Sequence, residues 1–518
     1  MAHALRPVLD PAPNPGHEHH DDQSSAVRRP RWPTLDHVWA ALPVVIPVVV
    51  SLATRMVAID LAYHVRAGEQ VLRGTIPRAD SWTFTVAGTP WLDQQWGAQA
   101  LLASAHRVGG FATIALLRAG LIGLTFALVY LACRAKGADP RTSSLLSLGG
   151  FVVCLQTLAM RPQLFAVPLF AASLWILAGR HERPARLWAL PVLAIVWANV
   201  HGSFVFAPLL VGLALVEDVI GRDPRRTRLA LIAGLTAIAT LVNPFGVGVW
   251  VYVKDLSTNP VIRDTITEWA PMSVSTFSGI AFFVTAAVIA GWLARTSRPI
   301  PWGALLWLGT FFALALPARR GVIWWALVAP VAIAGLMRPS EDHAPAREDR
   351  APPGSRALNI GVLAALLGLV LVMLPWWRPN AEGSLLAEAP VGLARTTAAL
   401  PAGSHVVVPQ PWGSWFAFAS PDTPVFVDPR IELYPAEVWN EYLTVRSAGA
   451  GWREILDRYG VEGVVTDRRT WGPLIAELRD DAAWHLAYED REGMVFVRIH
   501  TTSHTTCLLY TSDAADEL

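Results

Sequence analysis

Long apolar segments constrain the fold of this chain more than any other feature of its sequence. A helix needs about 20 mostly apolar residues to cross the hydrocarbon core of a bilayer. Apolar segments of about this length, some of them shorter, recur along the chain as far as residue 377. They are 38–58, 111–133, 143–160, 163–179, 187–200, 203–220, 228–242, 276–294, 302–317, 321–337 and 357–377. The pattern predicts a polytopic α-helical membrane protein with about 11 spans.

Composition agrees with that prediction. Hydrophobic residues make up 53% of the chain and charged residues 16%, whereas soluble domains carry roughly 25% charge. This composition excludes an ordinary soluble protein and makes the lipid bilayer the first expected partner. The formal net charge of +1 gives no reason to expect a nucleic-acid partner.

Positive charge alternates between the loops. Arginine-rich stretches precede the first apolar segment and follow every second one, as in "RHERPAR", "GRDPRRTR" and "RTSRP". Because cytoplasmic loops are enriched in Lys and Arg, we expect a cytoplasmic N-terminus in an inner or plasma membrane. The first outer loop, 59–110, and everything after residue 377 then face the extracytoplasmic side.

The remaining chain divides into segments of different character. Residues 1–36 are rich in Pro, His and Arg and predict a disordered cytoplasmic tail, and residues 37–377 form the transmembrane domain. Residues 378–500 predict a small extracytoplasmic α/β domain, since "HVVVPQ", "TPVFVD", "VEGVVTD" and "GMVFVRI" are typical of short strands. Residues 507–518, "CLLYTSDAADEL", resemble a translated sequencing adapter, and we expect them to be an artefact.

Asp60 and His64 stand in "IDLAYHVRAG", directly after the first apolar segment. An ionisable group at a membrane boundary is costly unless it is solvated, paired or used. The two residues share a face if the segment is helical. One interpretation is a helix end in water, with His64 paired to Asp60. The other is a carboxylate at the edge of an outer cavity, acting as a base or a metal ligand.

Other polar and aromatic residues lie at the outer ends of the predicted spans. Carboxylates and indoles suit sugar recognition, although Trp residues also form interfacial belts. Adjacent arginines in an outer turn break the charge bias, and they favour either a bound phosphate or snorkelling to lipid headgroups. The candidate residues are Asp93, Trp91, Trp96, Arg161, His201, Glu268, Arg319 and Arg320.

The segment "DLAYHVRAGEQVLRGTIPRADSWTFTVAGTPWLDQQW" resembles the first outer loop of bacterial multi-pass proteins in the GT-C glycosyltransferase superfamily. These proteins are similar to protein-mannosyltransferase-like and lipid A sugar-transferase-like enzymes. "RPQLF", "WANVHGSF", "NPFG", "EW" and the arginine pair resemble later blocks of the same group, and "PVFVDPRIELYP" resembles its C-terminal domain. One departure is Gln95, where related sequences tend to have Glu.

The resemblance implies a polyprenyl-phosphate sugar donor and transfer to an envelope glycan, lipid or protein on the extracytoplasmic face. By position, Asp60 takes the role of catalytic base or of ligand to a divalent cation, Mg²⁺ or Mn²⁺, with His64 orienting it or donating to the donor phosphate. Because Gln95 cannot act as a base, either Asp93 substitutes, Asp60 suffices or activity has been lost. Two other functions stay open. They are a transporter of lipid-linked substrates, to which polar residues inside the spans would belong, and a non-catalytic envelope scaffold, which Gln95 favours.

The alternating positive charge gives a direct test of orientation. Alkaline phosphatase fused after residue 380 should be active, because that enzyme matures outside the cytoplasm, and a cytoplasmic reporter should work at residue 20. An inactive phosphatase fusion together with an active cytoplasmic reporter after residue 380 would reverse the assignment.

Overall fold

Helices occupy each of the predicted apolar segments in the computed structural model, which describes residues 33–259, 267–337, 353–378 and 382–499. The segment 507–518 and nearly all of the predicted tail lie outside these residues. Five described stretches are long and apolar enough to cross a membrane: Leu35–Ala53, Trp96–Ala135, Gly202–Ile220, Phe277–Arg295 and Arg319–Met337. Several other apolar helices are shorter. A multi-pass helical membrane fold is therefore confirmed, while the number of spans stays a prediction.

The described helices are numbered in chain order, first those up to the last apolar segment and then those of the C-terminal region. The helices up to the last apolar segment are α1 Leu35–Ala53, α2 Ala58–Leu72, α3 Trp96–Ala135, α4 Pro140–Cys154, α5 Gln163–Ala178, α6 Ala189–Ala198, α7 Phe206–Ile220, α8 Arg226–Ala239, α9 Gly248–Thr258, α10 Phe277–Arg295, α11 Trp302–Ala315, α12 Val322–Ala334 and α13 Pro353–Val372. Those after it are α14 Glu382–Leu385, α15 Val391–Ala398, α16 Gly413–Ala419, α17 Ala436–Arg446, α18 Trp452–Arg458 and α19 Gly472–Asp480.

Helix α3 contains a break that separates its outer part from its spanning part. Gly110 has φ +61° and ψ −150°, a combination that glycine adopts far more readily than other residues. The segment predicted to span, 111–133, begins directly after this break. The N-terminal part of α3 can therefore pack on α2 in the outer layer, while the rest packs with α1 and α5.

A two-residue parallel pairing places the first outer loop beside the chain that leaves α13. Strand β1, Met56–Val57, pairs with β2, Leu386–Ala387. Helices α1 and α13 also contact each other. The first outer loop and the C-terminal region therefore lie on the same side of the membrane, as the prediction of topology requires.

The C-terminal region contains a four-stranded sheet. Its strands are β3 His405–Val407, β4 Val461–Asp467, β5 Trp484–Glu489 and β6 Gly493–Arg498, in the order β3-β4-β6-β5. Strand β3 is parallel to β4, whereas the other pairs are antiparallel. The sequence patterns found β3, β4 and β6 but missed β5.

The predicted strand "TPVFVD" is instead an extended link between the sheet and the first outer loop. Val425 donates its backbone N–H to the Trp82 carbonyl at 3.1 Å and accepts from the Phe84 N–H at 3.3 Å. Phe426 donates to Val406 of β3 at 3.0 Å. The backbone of this segment is shared between two partners, so no regular ladder forms along it.

A buried arginine joins the first outer loop to the C-terminal region. Arg430, 1% exposed, contacts the carboxylates of Asp428, at 2.6 Å, and Asp80. Its guanidinium also lies over the rings of Trp82, at 4.2 Å, and Trp91, at 4.6 Å. Asp80 belongs to the outer loop, so this cluster fixes the loop against the C-terminal region.

We expect Arg430→Met to destabilise the outer layer strongly. Removing one partner of a buried ion pair leaves an uncompensated charge and costs about 3–5 kcal/mol, here with Asp80 and Asp428 left behind. The thermal unfolding midpoint in detergent should fall, and the C-terminal region should become sensitive to protease. Arg469→Met is the matched control, because Arg469 is exposed and surface changes usually stay within about 0.5 kcal/mol. Equal stability of the two variants would show that the cluster does not hold the layer.

Candidate active site

Asp60, Arg161 and Glu268 form an ion-pair network from three separate segments. Asp60 lies in the first turn of α2, Arg161 just before α5, and Glu268 in a short 3₁₀ turn. Nη1 of Arg161 lies 3.5 Å from the Asp60 carboxylate and donates to Glu268 at 2.8 Å, and Nη2 also donates to Glu268. The fork of one arginine therefore orients both carboxylates.

Asp60 remains partly accessible within this network. Its side chain is 32% exposed. Loss of hydration in the crevice raises the pKa of Asp60 above its ordinary value, even though Arg161 opposes the shift. A carboxylate with a raised pKa is a better proton acceptor.

A basic cavity of about 180 Å³ adjoins this network. Arg161 and Glu268 line it together with Arg319 and Arg320. Arg320 lies over the Trp269 ring at 4.5 Å, and Nε of Arg319 is buried without a hydrogen-bond partner among the described residues. The arginine pair thus lines a crevice of the protein, an arrangement that favours anion binding over snorkelling.

A second cavity, of about 240 Å³, has acidic and aromatic walls. Trp91, Tyr252, Asp255 and Glu432 line it. Burial raises the pKa of Glu432 to about 7, and the negative charges of Asp428 and Asp60 act in the same direction. The charge of Asp60 therefore reaches the side chains of both cavities. The sequence analysis did not predict Glu432 or Tyr252 as site residues. A glutamate inside the segment "PRIELYP" was the signal that could have indicated Glu432.

His64 and Asp93 lie beneath the site, joined by Gln99. The Gln99 amide Nε2 donates to Asp93 at 2.7 Å and to Nδ1 of His64 at 3.1 Å. Burial lowers the pKa of His64 to about 3 and raises that of Asp93 to about 7. Among the described residues, His64 bonds to Gln99 rather than to Asp60, so the predicted pair is wrong.

This burial bears on the direct catalytic roles predicted for the two residues, which stay predictions. His64 is 3% exposed and Asp93 is 2% exposed, which leaves neither accessible to a substrate in this structure. Their position suits support of α2 and α3 instead. The backbone of Gln95 hydrogen-bonds to Asp93, so Gln95 stands close to this support.

The remaining predicted residues have local partners. The indole N–H of Trp96 donates to Asn199 at 3.0 Å, and the face of Trp91 is already covered by Arg430. His201 accepts the Ser203 N–H at 3.0 Å through Nδ1 and is 8% exposed. Of these, Trp91 lines the acidic cavity, while His201 feels the positive charges of Arg320 and Arg161.

Metal ligation at Asp60 is not supported by a cluster of three protein ligands among the described residues. Within them, no three His, Cys, Asp or Glu side chains are grouped closely enough to hold a cation. Asp60 and Glu268 are both bound to Arg161. A cation here would need most of its ligands from a substrate or from water.

Comparison with known proteins gives structural but not sequence matches. No protein-family model matches the chain, and no curated protein matches its sequence. The apo oligosaccharyltransferase of Archaeoglobus fulgidus has a TM-score of 0.54 at 13% identity, over 83% of this chain and 69% of that one. ArnT from Cupriavidus metallidurans bound to undecaprenyl phosphate has a TM-score of 0.51 at 14% identity, over 90% of this chain and 98% of that one.

A third similar structure is the arabinofuranosyltransferase AftD from Mycobacteria. Its TM-score is 0.54 at 16% identity, over 89% of this chain and 41% of that chain. At identities this low, the structural similarity shows a common fold and no more. They confirm the architecture expected from the first outer loop: this chain has the fold of the GT-C glycosyltransferases.

Proposed function

We propose that the protein is a membrane glycosyltransferase. It moves a sugar from a polyprenyl-phosphate donor to an acceptor of the cell envelope, on the extracytoplasmic face. The observation that carries the proposal is Asp60, a partly exposed carboxylate of raised pKa beside the basic cavity of Arg319 and Arg320. That arrangement brings a base and an anion site together.

The lipid phosphate of the donor would occupy the basic cavity. Arginine suits a phosphate because its planar fork can make two parallel hydrogen bonds. Within the described residues, no ion pair joins Arg319 or Arg320 to a carboxylate, so their charges are available to a ligand. The structurally similar ArnT was solved with undecaprenyl phosphate, a ligand of the same class.

The reaction is a displacement at the anomeric carbon of the sugar. Asp60 takes the proton of the acceptor hydroxyl while the hydroxyl oxygen bonds to the anomeric carbon. The bond between that carbon and the phosphate oxygen breaks. The polyprenyl phosphate leaves with the electron pair, and Arg319 and Arg320 stabilise the charge that develops on it. Arg161 keeps Asp60 in place through its simultaneous contact with Glu268.

The acceptor would approach from the acidic cavity. Asp255, and Glu432 in its ionised form, repel a phosphate, whereas Tyr252 and Trp91 offer aromatic edges to a sugar ring. The two cavities therefore separate an anionic donor from an acceptor that is not strongly anionic. A glycan hydroxyl meets that description best.

A divalent cation stays a proposal. Mg²⁺ binds proteins through one or two carboxylates together with substrate phosphates, and Asp60 with Glu268 would supply the carboxylates here. A bound cation would neutralise charge on the phosphate. Loss of transfer after chelation, with recovery on adding Mg²⁺ or Mn²⁺, would establish the requirement.

A panel of radiolabelled polyprenyl-phosphate sugars, incubated with purified protein and envelope fractions, tests the activity. Transfer of label to an envelope component supports a glycosyltransferase. Movement of the intact labelled lipid across vesicles without transfer would favour a transporter, and neither outcome would favour a scaffold.

Asp60→Asn should lower transfer by about 10²-fold or more, the range for loss of a general base. The amide keeps the size of the side chain but cannot accept the proton. Rates should also fall at acid pH in the wild type, because protonated Asp60 is inactive. Glu69→Gln is the matched control, since Glu69 lies on the same helix and pairs with Arg107 at the surface. Near-normal turnover of Asp60→Asn would remove Asp60 from the chemistry.

Arg320→Ala and Arg319→Ala should show whether the two arginines bind the donor or only anchor the helix ends at the membrane surface. Loss of a hydrogen bond to a charged group weakens binding by roughly 1.5–3 kcal/mol, and the lysine variants should show smaller losses because the charge remains. Acceptor affinity should change little. Arg73→Ala, at an exposed position of the outer loop, is the control. Unchanged donor titrations in both alanine variants would mean that the pair only anchors the helix ends.

A further inference from the structure

Helix α16 of the C-terminal region packs along α2, the helix that carries Asp60. The hydroxyl of Ser414, in α16, accepts the backbone N–H of Tyr63 at 2.9 Å and donates to the carbonyl of Ala58 at 3.2 Å. Ala58 and Tyr63 flank Asp60 in the first two turns of α2. One hydroxyl of the C-terminal region is therefore hydrogen-bonded to the backbone on both sides of the proposed base.

The hydroxyl of Ser414 has no substitute at this place. Ser414 is 0% exposed, so it is sealed from the solvent that could otherwise bond to the backbone of α2. A methyl group in its place would leave no acceptor for the Tyr63 N–H, and a buried donor that loses its partner is unfavourable. The first turns of α2 would then adjust their position to recover the hydrogen bond.

Helix α16 is itself held by the segment that carries Asp428. Gly413 begins α16, and a Cβ at this position would come within 2.7 Å of the Asp428 Cα and 2.8 Å of the Val427 carbonyl oxygen. Glycine permits such a close approach of two backbones. Asp428 is bound to the buried Arg430, so α16 joins α2 to the cluster that organises the outer layer.

A second contact attaches α2 to the same helix further along the chain. Arg66 donates through Nη1 to the Ala417 carbonyl at 2.6 Å and through Nη2 to the Pro421 carbonyl at 3.0 Å. Arg66 lies six residues beyond Asp60, whereas the hydroxyl of Ser414 acts on the turns that carry the carboxylate. Loss of the hydroxyl therefore leaves α2 attached and changes the position of its first turns.

We propose that Ser414 is a positioning residue for Asp60 in the transfer reaction, an inference that rests on the proposed function. Ser414 acts through the backbone of α2, and Arg161 acts on the Asp60 carboxylate itself. Together they hold the base against the acceptor hydroxyl. The C-terminal region takes part in catalysis by this route, in addition to lining the acidic cavity.

Ser414→Ala tests the proposal through the separate values of kcat and KM for transfer from a radiolabelled polyprenyl-phosphate sugar. We expect kcat to fall about tenfold, since displacing a reacting group by about 1 Å can cost up to 10²-fold. The KM for the donor should change little, because the basic cavity is built from other segments. Ser420→Ala is the matched control and should keep the wild-type kcat. Ser420 is also buried, 1% exposed, but its hydroxyl bonds to Thr423 and not to α2.

A double variant separates positioning from a general loss of structure. If Ser414 acts through Asp60, adding Ser414→Ala to Asp60→Asn should lower the residual rate no further, because the base is already gone. Losses that multiply in the double variant overturn the proposal, and so does a folded Ser414→Ala with wild-type kcat. Near-normal turnover of Asp60→Asn alone would instead refute the proposed function, and the inference would fall with it.

Hydrogen exchange measures the same coupling without any transfer. The Tyr63 amide should exchange about tenfold faster in Ser414→Ala, the factor for a lost hydrogen bond worth about 1.4 kcal/mol, and at the wild-type rate in Ser420→Ala. Exchange as slow as in the wild type would overturn the coupling. Should Ser414→Ala fail to fold, Ser414→Cys decides by the same measurements, because a thiol has a similar shape but is a weaker donor and acceptor.

Discussion

The buried contact of Arg430 with Asp80 and Asp428 is the interaction on which the outer half of the molecule depends. One guanidinium neutralises carboxylates from two segments far apart in sequence and covers the indoles of Trp82 and Trp91. Arg66 of the first outer loop adds hydrogen bonds to the carbonyls of Ala417 and Pro421 in the C-terminal region. Glu432, two residues from Arg430 in the chain, lines the acidic cavity.

A second arginine organises the site at the membrane surface. Arg161 binds both Asp60 and Glu268. It therefore fixes the position of α2 relative to the turn that precedes α10. Arg319 and Arg320 line one cavity together with Glu268, and Asp255 and Glu432 line the other. Under the proposed function, this difference in charge keeps a lipid phosphate apart from an uncharged acceptor.

The charged residues of the candidate site could be predicted from the sequence, because a charge at a membrane boundary is costly. Asp60, Arg161, Glu268, Arg319 and Arg320 each stand where a charged group is costly, and the structure brings them to one place. Their pairing was not predictable, because Arg161 and Glu268 are brought together only by the packing of helices. Periodicity also revealed most strands of the C-terminal sheet, whereas the segment around Val425 escaped because its partners come from two different parts of the chain.

Burial was the property that the sequence concealed most. His64 and Asp93 have the chemistry of catalytic groups, yet Gln99 binds both beneath the surface. Glu432, in contrast, was not predicted as a site residue, although it lies in the quoted segment "PVFVDPRIELYP", and it lines the acidic cavity. Side-chain type indicates what a residue can do, but only packing decides whether a substrate can reach it.

A structure of the protein with a bound polyprenyl phosphate tests the central claim most directly. The account predicts the phosphate in the basic cavity, within hydrogen-bond distance of Arg319 or Arg320, with Asp60 on the side of the phosphate oxygen that carries the sugar in the donor. A phosphate bound in the acidic cavity, or one held at a distance from all of these side chains, would contradict it.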